Sequence, residues 1–159
     1  MMRVGLGSDL HQFSDGRRLM LGGIEIPAVK GLKGHSDADV VLHSICDALL
    51  GAAGMGDIGG HFPDTDEKFR DISSKELLRA VMKLLKNDKW QVSNIDVMVM
   101  LEEPKIEPFK EKMRDSIAEI VGVEPNRINI KATTAERVGA IGRGEAAASQ
   151  AVALIQQKR

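Results

Sequence analysis

Asp9 and His11 stand two residues apart near the end of an apolar opening, MMRVGLGSDLHQF, and His43 closes a later segment, GHSDADVVLH. Residues two apart on a strand point to the same side, so this carboxylate and imidazole can share one target. Taken alone, the pair also fits a turn aspartate beside a surface histidine. His43 alone also fits a satisfied histidine on or beside an apolar helical face. Together the three supply one carboxylate and two imidazoles, a set that suits zinc with a coordination position left open for substrate or water. Spacing by itself does not show that they converge.

Two more segments gather polar residues. In GDIGGHFPDTD, glycines let the backbone approach a ligand closely, and Asp57, Asp64 and Asp66 can accept bonds from hydroxyls or amines. Acidic residues do not attract phosphate, so this loop suits a sugar or polyol, and it also fits an ordinary Asx-turn loop. In KATTAERVGAIGRGE, Thr133 and Thr134 offer hydroxyls and main-chain amides, Arg143 offers a guanidinium, and Glu136 could hold a hard cation such as Mg2+. That mixture suits a diphosphate bridged by a metal. It also fits strand-forming threonines beside solvated charges.

These residues need elements to position them. Residues 2–8 alternate weakly and read as a strand. RLMLGGIEIP reads as a hairpin around Gly22-Gly23. Ser36 can cap a helix over about 37–53, with Asp39 three positions on and Val40, Val41, Ile45, Leu49 and Leu50 as its buried stripe. The Gly-, Pro- and Asp-rich stretch that follows is long for a loop in a compact domain. Ser73 and Glu76 form a capping box for a helix to about Lys86. VSNIDVMVMLE is the clearest strand, with Ile95, Val97, Val99 and Leu101 on one face. Pro108 opens a third helix lined by Phe109, Met113, Ile117 and Val121, and RINIKAT is another strand. The tail AAASQAVALIQQK is ambiguous: alanine favours helix, yet Ala147, Ser149, Ala151, Ala153 and Ile155 fit a buried strand.

The chain's 159 residues suit one α+β domain, 1–159, with a sizeable core. A hydrophobic share of 43% against 28% charged reads as soluble and globular. A net charge of −1 gives no sequence-wide reason to expect nucleic acid or an acidic membrane as partner, although a local basic patch stays possible. No apolar run approaches the roughly 20 residues of a membrane span. The start has no charged region followed by an apolar signal core, so a cytoplasmic protein is expected, or else a mature organellar one. The single cysteine, Cys46, excludes an intramolecular disulfide and any CxxC metal site, and reads as a small buried side chain.

Read in order, DLHQF, KGLKGHSDADVVLHSICDALLGAAGMGDIGGHFPDTD, EEPKI and NIKATTAERVGAIGRGE resemble the 2-C-methyl-D-erythritol 2,4-cyclodiphosphate synthase family of the non-mevalonate isoprenoid pathway. The resemblance covers essentially the whole chain and is to the monofunctional form, without the fused cytidylyltransferase of some relatives. It implies attack of the 2-phosphate of 4-diphosphocytidyl-2-C-methyl-D-erythritol 2-phosphate on its own β-phosphorus, closing a cyclic diphosphate and releasing CMP. An anionic nucleophile must then meet an anionic phosphorus in line, so charge neutralisation and positioning carry most of the catalysis.

By the same resemblance Asp9, His11 and His43 bind zinc, and Glu136 binds a second divalent cation, Mg2+ or Mn2+. His35 and Thr134 correspond to the transition-state stabilisers. Asp9, Leu10 and His11 also line the substrate, and His35 and Ser36 contact the phosphate-bearing polyol. Asp57, Ile58, Gly59, Phe62, Pro63, Asp64, Thr65 and Asp66 line the methylerythritol side. Leu101, Glu102, Glu103, Pro104, Lys105, Ile106 and Glu107 correspond to the cytosine pocket, where backbone groups read the base edge. Thr133, Thr134, Ala135, Glu136, Ala140 and Arg143 complete the phosphate and nucleotide contacts.

The fold implied is a mixed four-stranded sheet with helices on one face plus a small β-hairpin. It assembles as a homotrimer, with sheets around the threefold axis and active sites between subunits. That decides the tail in favour of a strand. Some relatives line an axial cavity with aromatic residues where this chain has Ser8 and Ala140, and use glutamate where it has Gln150. Those differences weaken the case for a prenyl ligand on the axis, while three copies of Arg143 still attract a small anion. Two other functions fit the residues: a zinc phosphodiesterase using water, which would yield a linear phosphate, and a non-catalytic cytidine-nucleotide- or prenyl-phosphate-binding module. The second has no need of an open zinc site with His35 and Thr134 beside it.

Overall fold

Small residues on one face of a long strand let a helix lie directly on a sheet, and that contact organises the molecule. The computed structural model describes residues 1–158. Its main sheet runs, in spatial order, β4 (Gly31–Leu32), β1 (Met2–Ser14), β7 (Ala146–Gln157), β5 (Trp90–Met100) and β6 (Ile128–Thr133). Only β5 and β6 pair in parallel. The expected four strands become five because Phe13 and Ser14 carry β1 past its pairing with β7 to meet Leu32 and Gly31. For the same reason β1 does not stop at Ser8. Asp9 and His11 lie inside it, opposite Ser149 and Ala147.

The alanine-rich tail is β7, the central strand. Helix propensity loses there because both edges of the segment are paired, and its alanines are small enough to sit beneath a helix. The hairpin of β2 (Leu19–Leu21) and β3 (Ile24–Ile26) turns on Gly22 and Gly23 at φ of 63° and 80°, the left-handed region such tight turns require.

Helices α1 (Val40–Ala53), α3 (Ser74–Asn87) and α4 (Lys110–Val121) cover one face of the sheet. Helix α1 begins later than a Ser36 cap would give. Ala38 sits at φ 56°, which breaks the helical run, and buried Asp39 takes over as cap, accepting from the amides of Val41 and Leu42. Asp39 also accepts from Gly22 and Gly23 at 3.0 and 2.7 Å, tying the hairpin turn to the helix start. Ser73 caps α3 as expected, but Glu76 bonds Arg79 rather than reaching back to complete the capping box. The other face of the sheet is open, and Val4 and Leu6 are each 66% exposed there. Among the described residues no helix is long and apolar enough to cross a membrane.

Candidate active site

Glycine builds the first half of the site. A Cβ at Gly5 would lie 2.0 Å from the Ala48 carbonyl oxygen, and one at Gly7 would lie 1.9 Å from that of Ser44. Helix α1 therefore rests on β1 at a distance only glycine allows. The next residues on that face are Asp9 and His11, and they meet the N-terminal half of α1, where His43 sits. Asp9 Oδ2 is 2.9 Å from His43 Nδ1 and 3.0 Å from His11 Nε2, and the two ring nitrogens are 3.4 Å apart. Among the described residues these three side chains form the only group of its kind, with ligand atoms within 4.8 Å of one another.

The donor set fits a metal ion. His11 Nδ1 donates to the Lys33 carbonyl at 2.7 Å, which leaves Nε2 with a lone pair in the neutral ring. That lone pair faces a carboxylate and a second imidazole, so a cation suits the space between them. Burial raises the Asp9 carboxyl, but its bonds to His11 and His43 outweigh this and hold it well below the usual carboxylate range. The bond to Asp9 pushes His11 up, against the burial of the ring. The backbone also passes close to the cluster: a Cβ at Gly34 would lie 3.1 Å from His11 Cε1.

Of the residues expected on the polyol side, Ser36 touches this cluster directly, and His35 links its loop to Asp66. Ser36 Oγ is 3.1 Å from His43 Nε2. His35 is half-buried, and its Nε2 is 3.4 Å from the Asp66 carbonyl. The long loop is not structureless. It contains α2 (Ile58–His61), capped by Asp57, and a 3-10 turn at Glu67–Phe69, capped by Asp66. Phe62 packs edge-on to Phe69 at 5.5 Å between ring centres, while Pro63, Asp64 and Thr65 are exposed. Asp47, not picked out from the sequence, anchors this segment by accepting from Ile58 N at 2.7 Å. Burial raises its carboxyl. Leu10 is on the open face, so only its main chain can reach a ligand at the Asp9 cluster.

The second half of the site lies at the same end of the sheet but across β7. Leu10 pairs with Ala148, Ala148 with Met100, and Met100 with Thr133. Three strand spacings, about 14 Å, therefore separate the Asp9 half from the Thr133 half. There Leu101 N donates to the Thr133 carbonyl at 3.1 Å, and Glu102 Oε1 accepts from Ala135 N and Arg137 N at 2.8 and 3.3 Å. Leu101 and Ile106 point into the core, so they offer backbone only, whereas Glu103, Lys105 and Glu107 are exposed. Thr134 Oγ1 accepts from Glu136 N at 3.2 Å, and Glu136 stands apart from the Asp9 cluster.

A cleft of about 630 Å³ opens beside this half, lined by Phe13, Lys30, Glu102, Pro104, Arg137 and Arg143 among others. None of Asp9, His11 and His43 lines it. Ala140 is exposed on α5 (Gly139–Gly142). Arg143 is held by Glu145 through two bonds of 2.7 and 3.0 Å, a pairing the sequence reading missed although GRGE places the two residues side by side on a turn.

The model of the YgbB family matches residues 2–156. A 2-C-methyl-D-erythritol 2,4-cyclodiphosphate synthase of Prosthecochloris aestuarii is 57% identical over 99% of this chain and 100% of its own length. Among solved structures, the bifunctional IspDF of Campylobacter jejuni matches with a TM-score of 0.96 at 42% identity, over 99% of this chain and 43% of that one. A 2C-methyl-D-erythritol-2,4-cyclodiphosphate synthase in its CDP-bound form matches with a TM-score of 0.90 at 34% identity, over 97% of this chain and 100% of that one. With a cluster of metal-ligand type on its first strand and first helix, the chain belongs to the YgbB family, that of the 2-C-methyl-D-erythritol 2,4-cyclodiphosphate synthases.

Proposed function

We propose that the chain, acting as one domain, converts 4-diphosphocytidyl-2-C-methyl-D-erythritol 2-phosphate to the 2,4-cyclodiphosphate and CMP. In this reaction a 2-phosphate oxygen bonds to the β-phosphorus, and the bond from that phosphorus to the bridging oxygen breaks. CMP leaves with the bridging oxygen, so the enzyme is a phosphorus–oxygen lyase. The attacking phosphate is already ionised and needs no general base. The convergence of Asp9, His11 and His43 carries the reading, because a nucleotide-binding module has no use for an open metal site.

Asp9, His11 and His43 would hold zinc, which when bound supplies positive charge for a phosphate oxygen. Glu136 would hold Mg2+ or Mn2+, since a single exposed carboxylate leaves most of a hard cation's positions to phosphate oxygens and water. His35 and Thr134 would donate hydrogen bonds to charge developing on the transferring phosphoryl group. Asp57–Gly59 and Phe62–Asp66 would hold the polyol, and the backbone of Leu101–Glu107 the cytosine.

The working form is a homotrimer in the cytoplasm, with each site shared by neighbouring subunits. Two features support sharing: the separation of the two halves across β7, and the open apolar face carrying Met2, Val4, Leu6, Leu10 and Val152. The test is metal-dependent CMP release from the proposed substrate, with the second product identified. A linear phosphate, or no turnover by metal-loaded protein, overturns the proposal.

A further inference from the structure

His43 Nε2 points away from Asp9, toward two hydroxyls: Ser74 Oγ at 2.9 Å and Ser36 Oγ at 3.1 Å. Ser74 is fully buried in the first turn of α3, and Ser73 rather than Ser74 is that helix's cap. A hydroxyl at Ser74 is therefore not needed to start the helix. Its one proton is committed, because Ser74 Oγ donates to Asp37 Oδ1. Asp37 Oδ2 accepts from Ser74 N at 3.0 Å, so both polar groups of Ser74 serve one carboxyl.

Ser74 Oγ has only lone pairs left for His43, so Nε2 must carry the ring proton and donate it. Nδ1 then carries the ring's lone pair, and Nδ1 is the atom 2.9 Å from Asp9 Oδ2 and 3.4 Å from His11 Nε2. In the reverse arrangement Ser74 would donate to Nε2, and Nδ1–H would point at Asp9. That arrangement would leave Asp37 Oδ1 and Ser74 Oγ in contact with no proton between them, and His43 unable to bind a metal through Nδ1. We infer that Asp37 and Ser74 are positioning residues that fix His43 in its metal-binding tautomer through the chain Asp37–Ser74–His43, a reading that rests on the metal site proposed above. Ser36 Oγ, which accepts from Ala38 N at 3.2 Å, then also accepts from Nε2–H and keeps its own proton for another partner.

The chain has a structural consequence as well. Asp37 N donates to the Ile72 carbonyl at 3.2 Å, and Asp71 N to that of His35 at 2.8 Å. The loop carrying His35 and Ser36 is thereby tied to the start of α3, and the same tie sets the ring of His43.

Ser74→Ala tests the chain by removing one oxygen while keeping the amide that Asp37 accepts. Starting from zinc-loaded protein, competition with a chromophoric chelator reads zinc affinity, and 15N NMR reads the His43 Nε2–H proton. Ser74→Ala should weaken zinc binding about 10- to 100-fold and make that proton exchange rapidly with water, and Asp37→Asn should shift both in the same direction by less. Zinc affinity within about twofold of the parent in both variants, with the proton signal unchanged, overturns the inference. CMP release by the parent separates the two readings. A parent that releases no CMP but loses zinc on Ser74→Ala sinks the proposed reaction and leaves the chain standing. A parent that turns over while Ser74→Ala holds zinc as tightly sinks the chain alone.

Discussion

The Asp9 half and the Thr133 half of the site lie at one end of the same sheet but are held very differently. The first is built from close packing: α1 rests on Gly5 and Gly7, Asp39 binds four amides, and His11 is fixed by the Lys33 carbonyl. The second follows an edge strand whose last residues, Lys131 to Thr133, are exposed, and its glutamate and threonine are held mainly by turn contacts. A site that must fix a metal's ligands needs rigid partners within the chain. On the proposed reading the second must admit both a nucleotide and a neighbouring subunit, and it is left open on its own. Perturbing the first should therefore cost metal binding as well as turnover, while perturbing the second should leave metal binding intact.

His43→Ala is the strongest test of that contrast. It should abolish stoichiometric zinc, measured by elemental analysis, and reduce CMP release about 10³-fold or more while circular dichroism stays unchanged. Retained zinc would show that the three residues do not act as one site. Thr134→Ala comes next in size: turnover should fall about 10²-fold with zinc content unchanged. Loss of zinc in that variant would mean that the halves are not separable in the way the sheet suggests.

Gly7→Ala examines the packing rather than the ligands. Its Cβ would press on the Ser44 carbonyl, so unfolding in urea should show a loss of about 3 kcal/mol, and zinc affinity should fall as α1 lifts. Gly51 is the control within the same helix. Nothing lies within 4 Å of a Cβ there, so Gly51→Ala should stabilise by about 0.5 kcal/mol. Equal effects at the two positions would remove close approach as the explanation.

The parts legible in the sequence were those with short-range rules. The two-residue spacing of Asp9 and His11 on a strand, the Gly22-Gly23 hairpin and the Ser73 cap all follow from local periodicity or turn chemistry. What escaped depended on partners far along the chain. The Asp39 cap is strengthened by amides 16 and 17 residues away, Asp37 meets Ser74 across 37 residues, and Ser44 meets Ser149 across 105. That Asp9, His11 and His43 converge could not be read from spacing, because it depends on how closely α1 sits on Gly5 and Gly7. In the tail the local rule alone points the wrong way: alanine favours helix, pairing on both edges of β7 overrides it, and the strand was expected only from the family resemblance.

The smallest expected effect is on the exposed face of the two strands that lead into the second half. Asp96 on β5 accepts from Asn129 Nδ2 at 2.8 Å and Lys131 Nζ at 2.5 Å, a cross-strand group that ties β6 to β5. Partial burial raises the Asp96 carboxyl, but the bonds from Lys131 and Asn129 outweigh it and the net direction is down. A carboxyl lowered by folding stabilises the native state above its unfolded value, and loses that contribution as pH falls through its folded value. Side-chain exposures of 39% for Asp96 and 46% for Lys131 let solvent screen most of the attraction. Asp96→Asn should therefore cost only about 0.5 kcal/mol at pH 7, with the parent and variant urea curves drawing together as pH falls below the usual carboxylate range. A cost near that of Gly7→Ala, or one that does not change with pH, would show that the edge of the sheet is built as tightly as the helix-covered side.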